Sequence, residues 1–185
     1  MPSGDRVIGS FREGVLADGL AVKVFLEERK VFIGEWRDEV PYAGKLITRT
    51  GSLFEGTLTG ALGRHGTGTN WTVRKGYLGA APLVKPHFKT LSQASTLVVA
   101  REKAQLMFDL WKAHEKACHV YTGVWVDDKQ SGGEGHMRYP DGTTYEGQWN
   151  DNLRHGKGKF MSSASVYHEG AWAKDTHHKI KSMME

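Results

Sequence analysis

The chain has 185 residues, enough for one domain or two small ones, and 25 Lys and Arg stand against 21 Asp and Glu for a net charge of +4. Basic and acidic side chains are interspersed, so no segment has the density of positive charge that a nucleic-acid partner demands. No stretch approaches the ~18–20 apolar residues of a membrane-spanning helix, no apolar run follows Met1-Pro-Ser-Gly4, and Pro2 excludes N-myristoylation.

The single cysteine, Cys118, leaves no intrachain disulfide. The expected location is cytoplasmic, with association with cytoskeleton or membrane as the alternatives. Of the 23 glycines, none lies between Ala80 and Thr122, so composition divides the chain into a Gly-rich part, a Gly-free part and a second Gly-rich part.

In chain order, Val7-Ile-Gly9-Ser-Phe11 opens an irregular stretch. Asp18-Gly19 is its best hairpin signal, and Leu20 to Leu26 has strand composition. Phe32-Ile-Gly34-Glu-Trp36 and Phe54-Glu-Gly56-Thr-Leu58 then place large apolar groups and a glycine on one face of a strand, because side chains alternate with period 2. The first is followed by Gly44-Lys-Leu46, where Leu46 departs from a Gly-x-Gly pattern. The second is followed by Arg64-His-Gly66-Thr-Gly68, and Tyr77-Leu-Gly79-Ala-Ala81 reads as a degenerate end unit.

Thr90 to His119 holds no Gly or Pro and is rich in helix formers. A helix from about Ser92 to Cys118 would be roughly 40 Å long, capped by Thr90, Ser92 or Ser95. It carries two apolar stripes. Leu97, Ala100, Ala104, Met107, Phe108, Trp111 and Cys118 form one; Val99, Leu106, Leu110, Ala113 and Ala117 form the other. An ordinary surface helix has one such stripe. Either both are covered within the chain, or one meets a partner helix or a second copy. Leu97, Met107, Phe108, Trp111, Leu106 and Leu110 are the candidate partner-binding residues.

The pattern returns at full strength in Tyr121-Thr-Gly123-Val-Trp125, Tyr145-Glu-Gly147-Gln-Trp149 and His168-Glu-Gly170-Ala-Trp172. Gly133-Glu-Gly135 and Gly156-Lys-Gly158 begin the return strands. The loops between strands are read as Val126 to Ser131 and Asn150 to Arg154, and Lys174 to Glu185 as a polar tail. A period of 22 to 24 residues marks a stacked repeat architecture.

These residues resemble the MORN (membrane occupation and recognition nexus) family. Its pattern is aromatic-x-Gly-x-aromatic, a short loop, Gly-x-Gly, then a turn with Gly shortly before the next aromatic. Tyr121 to Trp172 matches closely, Pro140-Asp-Gly142 included, and Phe32 to Gly68 matches with departures. The resemblance implies a mainly β fold, in which stacked β-hairpin MORN repeats form an elongated rolled sheet, here with one long inserted α-helix. The expected division is 1–81 as degenerate repeats, 82–120 as linker and helix, 121–173 as C-terminal repeats and 174–185 as tail. Phe32, Gly34, Trp36, Phe54, Gly56, Tyr121, Gly123, Trp125, Tyr145, Gly147, Trp149, Gly156, Gly158, Gly170 and Trp172 form the expected repeat core.

Nothing in the sequence indicates catalysis. Gly156-Lys-Gly158-Lys lies in a hairpin and lacks the Ser or Thr of a phosphate loop. His65 and His155 occupy matching repeat positions and share a structural role. His177-His178 has too few companions for a metal site. The expectation is a non-enzymatic scaffold or adaptor that binds a partner protein or self-associates. It takes no cofactor, metal, nucleic acid or small-molecule substrate. The alternatives are a peripheral module on anionic phospholipid, drawing on Arg64, Arg74, Lys75 and Lys85, or an accessory segment of a larger signalling enzyme.

Overall fold

The computed structural model describes residues 5–48, 52–73, 96–162 and 167–178. The first block contains β1 (Arg6–Ile8), β2 (Phe11–Arg12), β3 (Val15–Leu16), β4 (Gly19–Phe25), β5 (Lys30–Arg37), β6 (Val40–Ile47), β7 (Leu53–Leu58) and β8 (Arg64–Val73). Helix α1 (Leu97–Lys112) and a 3-10 turn (Glu115–Ala117) follow. The second block contains β9 (Cys118–Val126), β10 (Lys129–Arg138), β11 (Thr144–Asn150), β12 (Leu153–Met161), β13 (Tyr167–Ala173) and β14 (Thr176–His178).

Twelve of these strands form one antiparallel sheet in chain order, and β2 and β3 pair as a separate hairpin. The two repeat blocks are one continuous sheet, because β8 pairs with β9 from Gly66↔Trp125 to Val73↔Cys118. The helix is thus an insertion between two strands that neighbour each other as if consecutive.

A row of glycines fixes the register. Gly34, Gly44, Gly56, Gly68, Gly123, Gly135, Gly147, Gly158 and Gly170 lie opposite one another across nine strands. From Gly34 to Gly158, each missing side chain makes room for a ring. A Cβ at Gly34 would stand 2.6 Å from Phe32 Cζ, one at Gly123 would stand 2.7 Å from Tyr121 Cζ, and one at Gly158 would stand 2.6 Å from Tyr145 Cε2. The row also corrects the reading of the first repeat. Gly44 is the second glycine of that Gly-x-Gly, and Tyr42 takes the place of the first. Leu46 occupies the position of Phe160, opposite the leading aromatic Phe32. The packing of this layer is therefore intact.

The aromatics interlock above the glycines. Tyr121 meets Trp125 and Trp149 edge-on, and Tyr145 meets Trp149 and Trp172, with centroids 5.1–5.2 Å apart. Phe54 joins the series through Trp125 at 5.7 Å. Such edge-to-face pairs are the favoured aromatic geometry. The indole N–H groups are aimed at the preceding repeat. Trp125 donates to Gly68 O (3.2 Å), Trp149 to Gly135 O (3.3 Å) and Trp172 to Gly158 O (3.1 Å). At the equivalent place before Trp36 stands Ala21, opposite Gly34, and Trp36 Nε1 is buried without a partner among the described residues.

Two-residue turns join β5 to β6, β9 to β10, β11 to β12 and β13 to β14, whereas residues 59–63 join β7 to β8. Asp38-Glu39, Asp127-Asp128, Asp151-Asn152 and Lys174-Asp175 all have φ between 47° and 67°. That is the pair of left-handed residues of a type I′ turn, and Asp and Asn tolerate it best after Gly. The loops are therefore shorter than the sequence suggests: Lys129 to Ser131 and Leu153-Arg154 belong to strands. The first hairpin turns at Glu13-Gly14, not at Asp18-Gly19, where β4 begins. The stretch after Ala173 is likewise not all tail, since Thr176–His178 pairs with β13.

The face opposite the rings carries the helix. Val24, Val31, Ile47, Leu53, Trp71 and Val120 line up as one apolar row from β4 to β9. Ala100, Ala104 and Phe108 of α1 are buried against it, and Phe108 meets Trp71 edge-on at 5.9 Å. Two alanines one turn apart let the helix approach the sheet closely. In β10 the row turns polar at Arg138, opposite Val120, whose guanidinium instead donates to Glu115 O at 2.8 Å. The helical layer ends there. α1 is also shorter than expected. Val99 N donates to the side chain of Thr96, one residue beyond Ser95, and Cys118 lies on β9 rather than on a helical stripe.

Candidate functional site

The strand rows beyond the helix define a groove. Alongside the apolar row runs Val22, Ile33, Lys45, Glu55, Thr69 and Thr122, and beyond it Leu20, Glu35, Ala43 and Thr57. α1 is centred over the first row and reaches the second, where Val22 and Ile33 are buried in the same core and Lys45 meets Gln105 and Phe108. Its flank of Val98, Arg101, Glu102, Gln105, Leu106 and Asp109 therefore forms a wall above an open floor of β4 to β8. The groove has a volume of about 1000 Å³. Val98 and Leu106 on this wall are 62% and 59% exposed, the two most exposed large apolar side chains among the described residues.

Lys45 ties wall to floor. Its ammonium donates to Gln105 Oε1 at 2.7 Å, lies 4.3 Å above the Phe108 ring and is 3.8 Å from Glu55. Gln105 in turn donates to Asp109 at 2.7 Å. This network holds the helix at a fixed offset and keeps the groove open beside it.

The six candidate partner-binding residues separate. Phe108 is 2% exposed inside the chain's own core, which removes it from any partner surface, and Leu97 packs partly buried against the same core. Leu106 faces the groove. Met107, Leu110 and Trp111 belong to α1 by backbone, and their side chains lie outside the described residues. The expected repeat core is found together: Phe32, Trp36, Phe54, Tyr121, Trp125, Tyr145, Trp149 and Trp172 fill the ring face, and Gly34, Gly56, Gly123, Gly147, Gly158 and Gly170 form its glycine row. Gly156 sits apart, half-buried, at φ +59° beside the Gln148 carboxamide. The unit at Tyr77 to Ala81 and the caps Thr90, Ser92 and Ser95 lie outside the described residues.

No local sequence pattern marks the contacts between each Asp turn and the first residues of a neighbouring hairpin's strand. The carboxylate Oδ1 of Asp128 accepts from both the backbone N–H and Nε of Arg64, each at 2.9 Å, and Arg64 Nη2 donates back to Asp128 O at 3.1 Å. Asp175 and Arg154 repeat the arrangement at 2.8, 3.0 and 3.0 Å. Each guanidinium also stacks on a core tryptophan, Arg64 on Trp125 at 4.3 Å and Arg154 on Trp172 at 4.4 Å. Burial pushes the Asp128 carboxyl up, but the Arg64 hydrogen bonds and charge outweigh it and hold the group below its ordinary value. Of the four cations considered for a lipid surface, Arg64 is thus engaged internally, and Arg74, Lys75 and Lys85 lie outside the described residues.

The candidate chemistry is sparse. Burial pushes the Cys118 thiol up to about 11, and its Sγ contacts His114 O at 3.6 Å. His65 is half-exposed with Asp127 at 3.8 Å. Among the described residues no three His, Cys, Asp or Glu side chains converge as metal ligands, and no helix is long and apolar enough to cross a membrane. The backbone of His177 and His178 belongs to β14, and their side chains are not among those described.

A chain of sequential hairpins with a shared glycine row and an aromatic ladder is a stacked β-hairpin repeat protein. Its second block has a family: the sequence profile of the MORN repeat matches residues 121–144 and 145–163, which are the β9–β10 and β11–β12 units. No curated protein sequence matches the chain.

Proposed function

We propose that this chain is a non-enzymatic MORN-repeat scaffold that binds a segment of a partner protein in the groove beside α1. The observation that carries this reading is the pair Val98 and Leu106, exposed on the helical wall of a groove whose floor is the chain's own sheet. Exposed apolar groups lining a concavity mark interaction sites more often than isolated surface residues do. On the ring face, the aromatics of the described residues are buried among themselves.

The test is a comparison of the wild type with a Val98→Asp/Leu106→Asp variant that keeps the wild-type circular dichroism spectrum. Both are used to capture partners from the same lysate, and both are sedimented at low and high protein concentration. The expected outcome is a protein captured by the wild type and lost by the variant, or a dimer of the wild type that the variant does not form. Identical partners and identical sedimentation for both would overturn the groove as the binding site.

A further inference from the structure

The groove is acidic in a basic chain. Glu35, Glu55, Glu102 and Asp109 line it against Lys45 and Arg101, whereas the whole chain carries +4. Lys45 is already neutralised by Glu55 and held by Gln105, and Glu35 is paired with Arg37 at 3.6 Å, which leaves Glu102 and Asp109 against Arg101. Glu102 and Asp109 on α1 are exposed. The unbalanced charge offered to an incoming segment is therefore negative.

The floor also selects the occupant's conformation. It is the face of a sheet, whose backbone N–H and C=O groups lie in the plane and are taken up by strand pairing. An extended peptide laid on it would find no ladder to join. A helix satisfies its own backbone and needs only side-chain contact. Successive side-chain rows on one face of a strand stand ~7 Å apart, and side-by-side helices pack 8–10 Å apart. With α1 centred on the first row and reaching Val22, Ile33 and Lys45 of the second, a second helix stands over the outer edge of that row and the third. At a diameter of ~10 Å, a volume of about 1000 Å³ takes roughly nine residues, or two to three turns.

We propose that the groove takes a short basic amphipathic helix of a partner protein, laid alongside α1 across the strands. This rests on the reading of the groove as the partner site. The occupant's apolar stripe meets Leu20, Ala43, Val98 and Leu106, and its flanking Lys or Arg side chains meet Glu102 and Asp109. Exposed charges of this kind steer and select the partner more than they hold it, so the preference is salt-dependent.

Three synthetic peptides of about four helical turns probe the full chain by fluorescence anisotropy at low and high salt. One has Leu along a single stripe and Lys elsewhere. The second replaces its Lys by Glu. The third scrambles the first so that no stripe remains. The striped Lys peptide is expected to bind about tenfold tighter than either of the others and to weaken as salt rises. Leu106→Ser is expected to weaken it about tenfold, and Glu102→Lys/Asp109→Lys to transfer the preference to the Glu peptide. Equal binding of the Lys and Glu peptides, both weakened by Leu106→Ser, would show the basic occupant to be wrong and leave the groove standing. Equal binding of the striped and scrambled Lys peptides would sink the helical occupant. No binding at all, or binding that Leu106→Ser leaves unchanged, would remove the groove reading as well.

Discussion

At Gly158 a single methyl group decides whether the repeat closes. A Cβ there would enter the ring of Tyr145, and overpacking of this kind costs about 1–3 kcal/mol. Gly158→Ala is expected to lower the urea midpoint accordingly. Adding Tyr145→Leu is expected to recover part of the loss, so that the double-mutant cycle is non-additive. The tryptophans differ among themselves for a related reason. Trp125→Phe and Trp172→Phe each lose a hydrogen bond to a glycine carbonyl and are expected to cost about 1 kcal/mol more than Trp36→Phe, whose indole N–H has no partner to lose.

Two titrating groups extend the argument to pH. Asp128 has a folded value below its ordinary 3.8. The stability its ion pair with Arg64 adds is present above that ordinary value and disappears as pH falls through the folded one. Thermal melts taken on acidification should show a slope that Asp128→Asn flattens. Cys118 is raised to about 11, so its thiol stays protonated and inert in the folded chain. Iodoacetamide at mildly alkaline pH should label it only as β9 opens, and labelling at the rate of a free thiol would contradict its burial.

At this scale the sequence was legible where a residue's role repeats. Tyr145, Gly147 and Trp149 announce their shared face because the same trio recurs elsewhere. Gly44 misled because a glycine and a leucine two apart imitate a Gly-x-Gly frame, and only the pairing Gly34↔Gly44↔Gly56 sets the true one. The Arg154–Asp175 contact could not be read at all, since it joins turns of different hairpins and leaves no local pattern.

Among the elements, α1 is held by one face and free on another. Phe108→Ala removes a ring packed on Trp71 and is expected to cost about 3–5 kcal/mol. Leu106→Ser, on the open wall, should change stability by less than ~0.5 kcal/mol. Urea unfolding of the two variants separates core from surface on one helix. The helix itself was plain from its Gly-free, Ala- and Leu-rich composition. Its docking was only partly so. The apolar Val31, Leu53 and Val120 that precede each repeat aromatic in the first block and in β9 mark the floor under α1, whereas Thr144 marks its absence in β11. That contrast is present in the sequence, but it becomes a signal only once the strand register is known.

For the whole molecule, β8 and β9 count as neighbours despite the insertion between them, so the array propagates through the join. Thr69 and Thr122 even share a hydroxyl hydrogen bond of 3.0 Å across it. Composition had divided the chain at the helix, but the fold does not divide there. Stability in such an array is a sum of units and nearest-neighbour interfaces, with α1 adding a second layer over β4 to β9 alone.

Strand order equal to chain order has a mechanical consequence. Tension applied between β1 and β14 loads the outermost ladders first, and their hydrogen bonds open one after another rather than all at once. Each hairpin of 24 residues, as from Tyr121 to Tyr145, pays out roughly 80 Å of chain when it yields. The second block, which α1 overlies at β9 alone, is the compliant end. The first, strapped by α1, is the stiff one. Stretched, this chain behaves as a ratcheted spring with a soft half and a hard half.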